Sequence, residues 1–234
     1  MAVITGANRG IGLGLARKYA ADGWLVIATA REPGSAVELN GLSADHAALS
    51  VAQLDLTDPD SVAAFAGQIG DTAIDLLINN AGTMGPHPLA EHIHRQRFGG
   101  IDYGLWADVL LTNTLGPVRL TEALADNVAA SEKRIVVMVS STAGSIAGSD
   151  RPAIAYTTSK AALNKATTII AEELAPRGVV VFAMCPGHVK TRLGIGGATV
   201  EVAESVDGMA AVIAAATPAD SGRFLRYNGE SIPW

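Results

Sequence analysis

Seven short apolar runs, alternating with stretches of helical spacing, constrain this chain more than any other feature of its sequence. The runs are Ala2–Thr5, Trp24–Thr29, Ala48–Leu54, Ile74–Asn79, Arg134–Ser140, Val179–Cys185 and Gly222–Arg226. Several are rich in Val and Ile and are bounded by Gly, Asn, Asp or Pro, the signature of buried strands. Helical spacing is found over Ile11–Asp22, Pro59–Ile69, Tyr103–Val128, Ala155–Leu174 and Val200–Ala215. Pro59 after Thr57-Asp58 suits a helix start, and Pro176 with Gly178 suits a helix end. Such alternation predicts an α/β fold in which a seven-stranded parallel sheet is covered by helices on both faces. No repeat, low-complexity tract or linker divides the 234 residues, so one domain over 1–234 is expected. Thr83–Gly100 is the least regular segment and reads as a loop with a short helical turn.

The first strand runs into Thr5-Gly6-Ala7-Asn8-Arg9-Gly10-Ile11-Gly12 and then a helix. Glycines at 6, 10 and 12 let the backbone turn tightly and approach a pyrophosphate. The free N–H groups and positive end of the following helix favour that anion. The spacing is Gly-x-x-x-Gly-x-Gly, not Gly-x-Gly-x-x-Gly. A doubly wound, Rossmann-type dinucleotide-binding domain is therefore expected. The second strand ends Ala28-Thr29-Ala30-Arg31, without the carboxylate that meets a ribose 2′-hydroxyl. Arg31 and Arg9 are cations suited to a 2′-phosphate, while Glu32 comes one residue late. NADP(H) is the expected cofactor, with NAD(H) as the other option.

Tyr156 and Lys160 are four residues apart in a helical stretch and share its face. A free phenol has a pKa near ~10. A cation within about 4–6 Å favours the phenolate. The pair is thus a means of making tyrosine an acid/base near neutral pH. Two surface side chains on one helix face have the same spacing, and the surrounding motifs distinguish the cases.

Bulk properties narrow the field. Hydrophobic residues make up 49% and charged residues 17%, which suits a well-buried globule. A net charge of -6 disfavours nucleic acid as a partner. The single cysteine, Cys185, fits a reducing compartment and reads as a buried strand-end residue. Without a basic leader or long apolar run, a cytoplasmic location and no membrane partner are expected. His87, His92 and His94 lack a carboxylate-rich shell and read as a solvated loop, so no metal is expected.

Together these segments resemble the short-chain dehydrogenase/reductase family. The resemblance rests on Thr5–Gly12, Asn79-Asn80-Ala81-Gly82, Thr112-Asn113-Thr114-Leu115-Gly116-Pro117, Ser140-Ser141-Thr142-Ala143-Gly144, Tyr156-x-x-x-Lys160 and Cys185-Pro186-Gly187-His188-Val189-Lys190-Thr191. These motifs stand in the family's order over residues 5–191. The tail Gly222–Trp234, with Ala28–Pro33, is similar to that of C-factor and sniffer-type carbonyl reductases.

The resemblance implies a hydride transfer between NADP(H) and a small carbonyl or alcohol: a ketone, aldehyde, diketone or quinone. Tyr156 would be the acid/base. Lys160 would hold the ribose and lower the phenol pKa. Ser141, chosen over Ser140 because it precedes Thr-Ala-Gly, would hydrogen-bond the substrate oxygen. Asn113 would anchor a water-and-lysine proton relay through a helix distortion. Gly6, Asn8, Arg9, Gly10, Ile11, Gly12 and Arg31 would meet the cofactor phosphates, and Asp55 and Leu56 the adenine. Asn79, Ala81 and Gly82 would line the ribose channel, and Pro186, Gly187, Val189 and Thr191 the carboxamide. The spacing of Ser141 and Tyr156 is about two residues longer than usual, within Gly148–Pro152. A short substrate lid is expected near 191–203, with Met84, Leu89, Ile146, His188 and Leu193 as wall residues. A homodimer or homotetramer would pair through the helices carrying Asn113 and Tyr156. The competing reading is a cofactor-binding regulatory or signalling protein without turnover. An epimerase or dehydratase on a nucleotide sugar would need a longer C-terminal substrate region.

Overall fold

The computed structural model describes residues 1–148, 153–193 and 197–234. Seven strands, β1 (Ala2–Ile4), β2 (Val26–Ala30), β3 (Leu49–Gln53), β4 (Leu76–Asn79), β5 (Ile135–Val139), β6 (Val180–Cys185) and β7 (Phe224–Arg226), form one sheet. All pairings are parallel, in the order β3-β2-β1-β4-β5-β6-β7. The helices are α1 (Gly10–Ala21), α2 (Val37–Asp45), α3 (Pro59–Ile69), α4 (Leu89–His92), α5 (Tyr103–Leu110), α6 (Gly116–Ala123), α7 (Ala125–Ala129), α8 (Ile154–Leu174) and α9 (Val202–Ala215). A π-helical turn, Leu111–Leu115, joins α5 to α6.

Successive side chains of a strand point to opposite faces, so a central strand needs apolar residues at every position. Ala2, Ile4, Leu76, Ile78, Val137, Val139, Phe182 and Met184 pack in one core with Leu13, Leu15 and Tyr19 of α1, Leu39 and Leu42 of α2, and Met209 and Ile213 of α9. The alternate positions Val3, Leu77, Val136, Met138 and Val181 pack on the other face with Val62, Phe65 and Ile69 of α3, Leu120 of α6 and Leu163 of α8. The fold is therefore the doubly wound Rossmann-type α/β sandwich that the alternation predicts. Burying a side chain such as Phe65 or Phe182 contributes roughly 1.5–3 kcal/mol.

Local signals act where the sequence places them. Asp58 caps α3 by accepting from Asp60 N at 2.9 Å, with Pro59 in the first turn. Gly178 ends the α8 segment at φ 73. Two expectations need correction. The helix expected over Tyr103–Val128 is broken, by the π turn and again at Leu124. α2 was not foreseen, because Leu39 and Leu42 are its only buried residues and its apolar pattern is weak.

The chain moves from β1 outward through β2 to β3, then returns to place β4 on the other side of β1. Loops leaving β1 and β4 consequently diverge and open a crevice beyond the carboxyl ends of the strands.

Candidate active site

A cleft of about 1480 Å³ fills that crevice. Its floor is the glycine turn. Gly6 has φ +63, and a Cβ there would lie 2.8 Å from Ala81 Cα. At Gly12 a Cβ would meet Gly6 O and Asn80 Nδ2 at 2.4 Å. Both positions accept only glycine without displacement. Thr5 ties the turn to the segment after β4: its buried Oγ1 accepts from Asn80 N and Ala81 N at 3.0 Å. Asn80 Nδ2 donates to Thr5 O at 2.9 Å. The N-terminus of α1 has no side-chain cap and no acid in its first turn, and Gly10, Ile11 and Gly12 line the cleft. Those N–H groups are the anion-binding feature of the floor.

At one end stand Asn8, Arg9, Arg31, Glu32, Asp55 and Leu56. Among the described residues neither Arg9 nor Arg31 makes an ion pair. Asp55 is oriented by Thr57, whose N and Oγ1 donate to its Oδ1 at 2.9 and 2.7 Å.

Ser141, Tyr156 and Lys160 line the same cleft, as do Ala81 and Gly82, the latter beside Lys160. Tyr156 and Lys160 come from successive turns of α8. Lys160 is 4% exposed, and its Nζ donates to Val139 O at 2.8 Å. Burial lowers its pKa to about 8, with nearby Cys185 acting weakly the other way. The close approach of α8 to the loop after β5 depends on Gly144, where a Cβ would lie 2.7 Å from the Lys160 carbonyl carbon. Ser141 Oγ accepts from Ala143 N at 3.2 Å. The Ser140 hydroxyl is buried and donates to Asn164 Oδ1 at 2.6 Å, so it is committed to α8.

Asn113 sits in the π turn, fully buried behind the cleft wall. Its Oδ1 accepts from Thr83 N at 2.8 Å, and its Nδ2 donates to Thr83 O at 2.8 Å and Ser159 Oγ at 2.9 Å. Ser159 Oγ in turn donates to Tyr156 O at 2.7 Å. A Cβ at Gly82 would stand 3.3 Å from Asn113 Oδ1 and 3.6 Å from Lys160 Nζ, so both groups flank this glycine. The π turn shifts the helix phase, which lets Asn113 and Thr114 both reach α8.

Pro186, Gly187, Val189 and Thr191 also line the cleft, with Met84, His188 and Leu193, and Thr191 approaches the glycine turn, where a Cβ on Gly10 would lie 3.5 Å from its Cγ2. Two expected wall residues do not belong. Leu89 is buried outside the lining, and Ile146 is 88% exposed to solvent. Asn79 is also misplaced in the sequence reading. It is 1% exposed, and its Nδ2 donates to Thr121 Oγ1 at 3.0 Å, because the last residue of β4 points toward α6. Asn80, one residue on, lines the cleft instead. Sequence reasoning also missed His87, Arg192 and Leu105 in the lining. The His87 pKa is lowered, first by burial and then by Arg192 and Arg9. The extra length expected within 148–152 and part of the lid at 191–203 fall on residues 149–152 and 194–196, outside the described residues. Among the described residues no group of His, Cys, Asp or Glu is arranged to hold a metal ion, and no helix is long and apolar enough to cross a membrane.

Comparison with known proteins places this geometry. The short chain dehydrogenase profile matches residues 1–198. C-signal from Myxococcus xanthus is 38% identical over 172 residues, covering 73% of this chain and 99% of the relative. The crystal structure of NADPH-bound carbonyl reductase from chicken fatty liver has a TM-score of 0.89 at 33% identity, covering 100% of this chain and 98% of that one. Carbonyl reductase Sniffer of D. melanogaster has a TM-score of 0.89 at 28% identity, with the same coverage. Sheet order, glycine turn and profile match agree, and the chain belongs to the short-chain dehydrogenase/reductase family of oxidoreductases.

Proposed function

We propose that the protein is an NADP(H)-dependent carbonyl reductase acting on small ketones, aldehydes, diketones or quinones. The observation that carries this reading is that Tyr156 and Lys160 line the same cleft as the glycine turn. The cradle suits a dinucleotide: Gly6 and Gly12 leave a surface that any Cβ would fill, above an uncapped helix N-terminus. Arg9 and Arg31 suit a 2′-phosphate, since both are exposed cations free of ion pairs among the described residues. Ala81, Gly82 and the stretch Pro186–Thr191 would border its nicotinamide half. When bound, NADPH supplies the hydride.

The chain's own residues handle the proton. Tyr156 would give its hydroxyl proton to the carbonyl oxygen, and Ser141 would donate a hydrogen bond to that oxygen as charge develops. Lys160, cationic below about pH 8, would stabilise the tyrosinate that remains. Asn113, through Ser159, would hold the turn of α8 that carries both groups. Exposed Leu115 and Ile169, on the helices bearing Asn113 and Tyr156, support pairing of those helices in a homodimer or homotetramer.

The likeness to C-signal favours a second reading, a cofactor-binding signalling protein without turnover. Retention of both Tyr156 and Lys160 on the cleft weighs against it.

The test is NADPH oxidation against a panel of ketones, diketones, quinones and aldehydes, with NADH in parallel. Turnover of at least one class, with NADPH bound more tightly than NADH, is expected. Tight NADPH binding with no turnover of any class would favour the second reading, and absence of NADPH binding would overturn the first.

A further inference from the structure

The N-cap residue of helix α8 is Ala153, which has no side-chain oxygen and makes no side-chain cap. An N-cap side chain ordinarily accepts from the N–H two or three residues on. Here the third residue is Tyr156, and its N–H donates at 3.2 Å to Oε1 of Gln96. Gln96 lies 60 residues earlier, at the end of a 3-10 turn (Ile93–Gln96) in the irregular segment after β4. Its side chain is 1% exposed, and its Nε2 donates to Met84 O at 2.6 Å. Only this orientation of the amide works, because a flip would set NH2 against N–H and oxygen against carbonyl. Met84 lines the cleft, as does Tyr156.

We propose that Gln96 is a positioning residue for the reaction: a cap supplied from a distant loop that fixes the Tyr156 backbone relative to the Met84 wall of the substrate pocket. The role rests on the carbonyl-reductase reading for its kinetic consequence and on geometry alone for its structural one. A local N-cap would hold the helix end equally well. A cap that is itself bonded to Met84 of the pocket wall additionally locks the distance between the proton donor and the surface against which a substrate rests. Misplacing reacting groups by about 1 Å can lower a rate by on the order of 100-fold, so loss of this bridge acts on kcat.

Two variants separate positioning from packing. Gln96→Met keeps the volume and removes both polar contacts. Gln96→Glu makes both bonds only as the protonated acid, which burial favours. Amide hydrogen exchange of the Tyr156 N–H, NADPH Kd and kcat are measured for each. Gln96→Met is expected to exchange faster at Tyr156 and to lose about tenfold in kcat, with NADPH Kd within about twofold of the parent. Gln96→Glu is expected to regain both exchange protection and kcat, relative to the parent, as pH falls. Unchanged Tyr156 exchange in Gln96→Met would overturn the inference, as would unchanged kcat beside an inactive Tyr156→Phe. If the parent chain turns over no carbonyl, the functional reading fails by itself, and the exchange measurement decides the placement of Gln96.

Discussion

Lys160 Nζ donates a 2.8 Å hydrogen bond to the carbonyl of Val139, the last residue of the strand that leads into Ser141. The ammonium is buried, and among the described residues no carboxylate pairs with it. Burial therefore dominates and lowers its pKa from 10.5 to about 8. Folded Lys160 releases its proton at lower pH than the unfolded chain does. Between about pH 8 and 10.5 the unfolded state binds more protons, so stability rises with pH across that window and is lost as pH falls through 8. Urea unfolding of the parent and Lys160→Met between pH 7 and 10.5 should show the parent gaining relative stability as pH rises. A flat difference would contradict the burial account.

The same titration limits activity in the opposite sense. If the cation assists Tyr156, kcat/KM for carbonyl reduction falls as pH rises through about 8. A profile level from pH 7 to 9.5 would remove Lys160 from the proton chemistry.

Arg31 is expected to set cofactor choice. A hydrogen bond to a charged group contributes about 1.5–3 kcal/mol. Arg31→Asp should accordingly weaken NADPH by roughly 10–100-fold and leave NADH unchanged or tighter. Equal weakening of both cofactors in fluorescence titrations would argue against recognition of a 2′-phosphate.

Gly12→Ala tests the cradle. Its methyl would meet Gly6 O and Asn80 Nδ2 at 2.4 Å, forcing the turn from Thr5–Asn80 register. Overpacking of this kind costs about 1–3 kcal/mol, or a Tm drop of roughly 2–12 °C in a chain of this size. NADPH affinity should fall with it. Unaltered Tm and affinity would show that the turn yields without cost.

Much of this architecture was readable from residue pattern alone. The central strands β1, β4, β5 and β6 are apolar runs whose alternate positions feed cores on the two faces of the sheet, so their pattern survives any tertiary adjustment. The glycine turn was readable for a similar reason, since Gly6 and Gly12 have no substitute there. What escaped depends on contacts distant in sequence. The phase shift at Leu111–Leu115 reflects docking of Asn113 and Thr114 on α8, which helical spacing does not encode. Asn79 and Asn80 differ in role only through where β4 ends. Gln96 reaches Tyr156 across 60 residues, from a segment without periodicity.

The central claim is that a phenolic proton of Tyr156 accompanies hydride transfer in this cleft, and Tyr156→Phe removes little beyond that hydroxyl. Steady-state NADPH oxidation with the best carbonyl of the panel, together with NADPH Kd, tests it most directly. The account predicts a loss in kcat of about 10²–10⁴-fold with Kd within about twofold of the parent; undiminished turnover in Tyr156→Phe would contradict it.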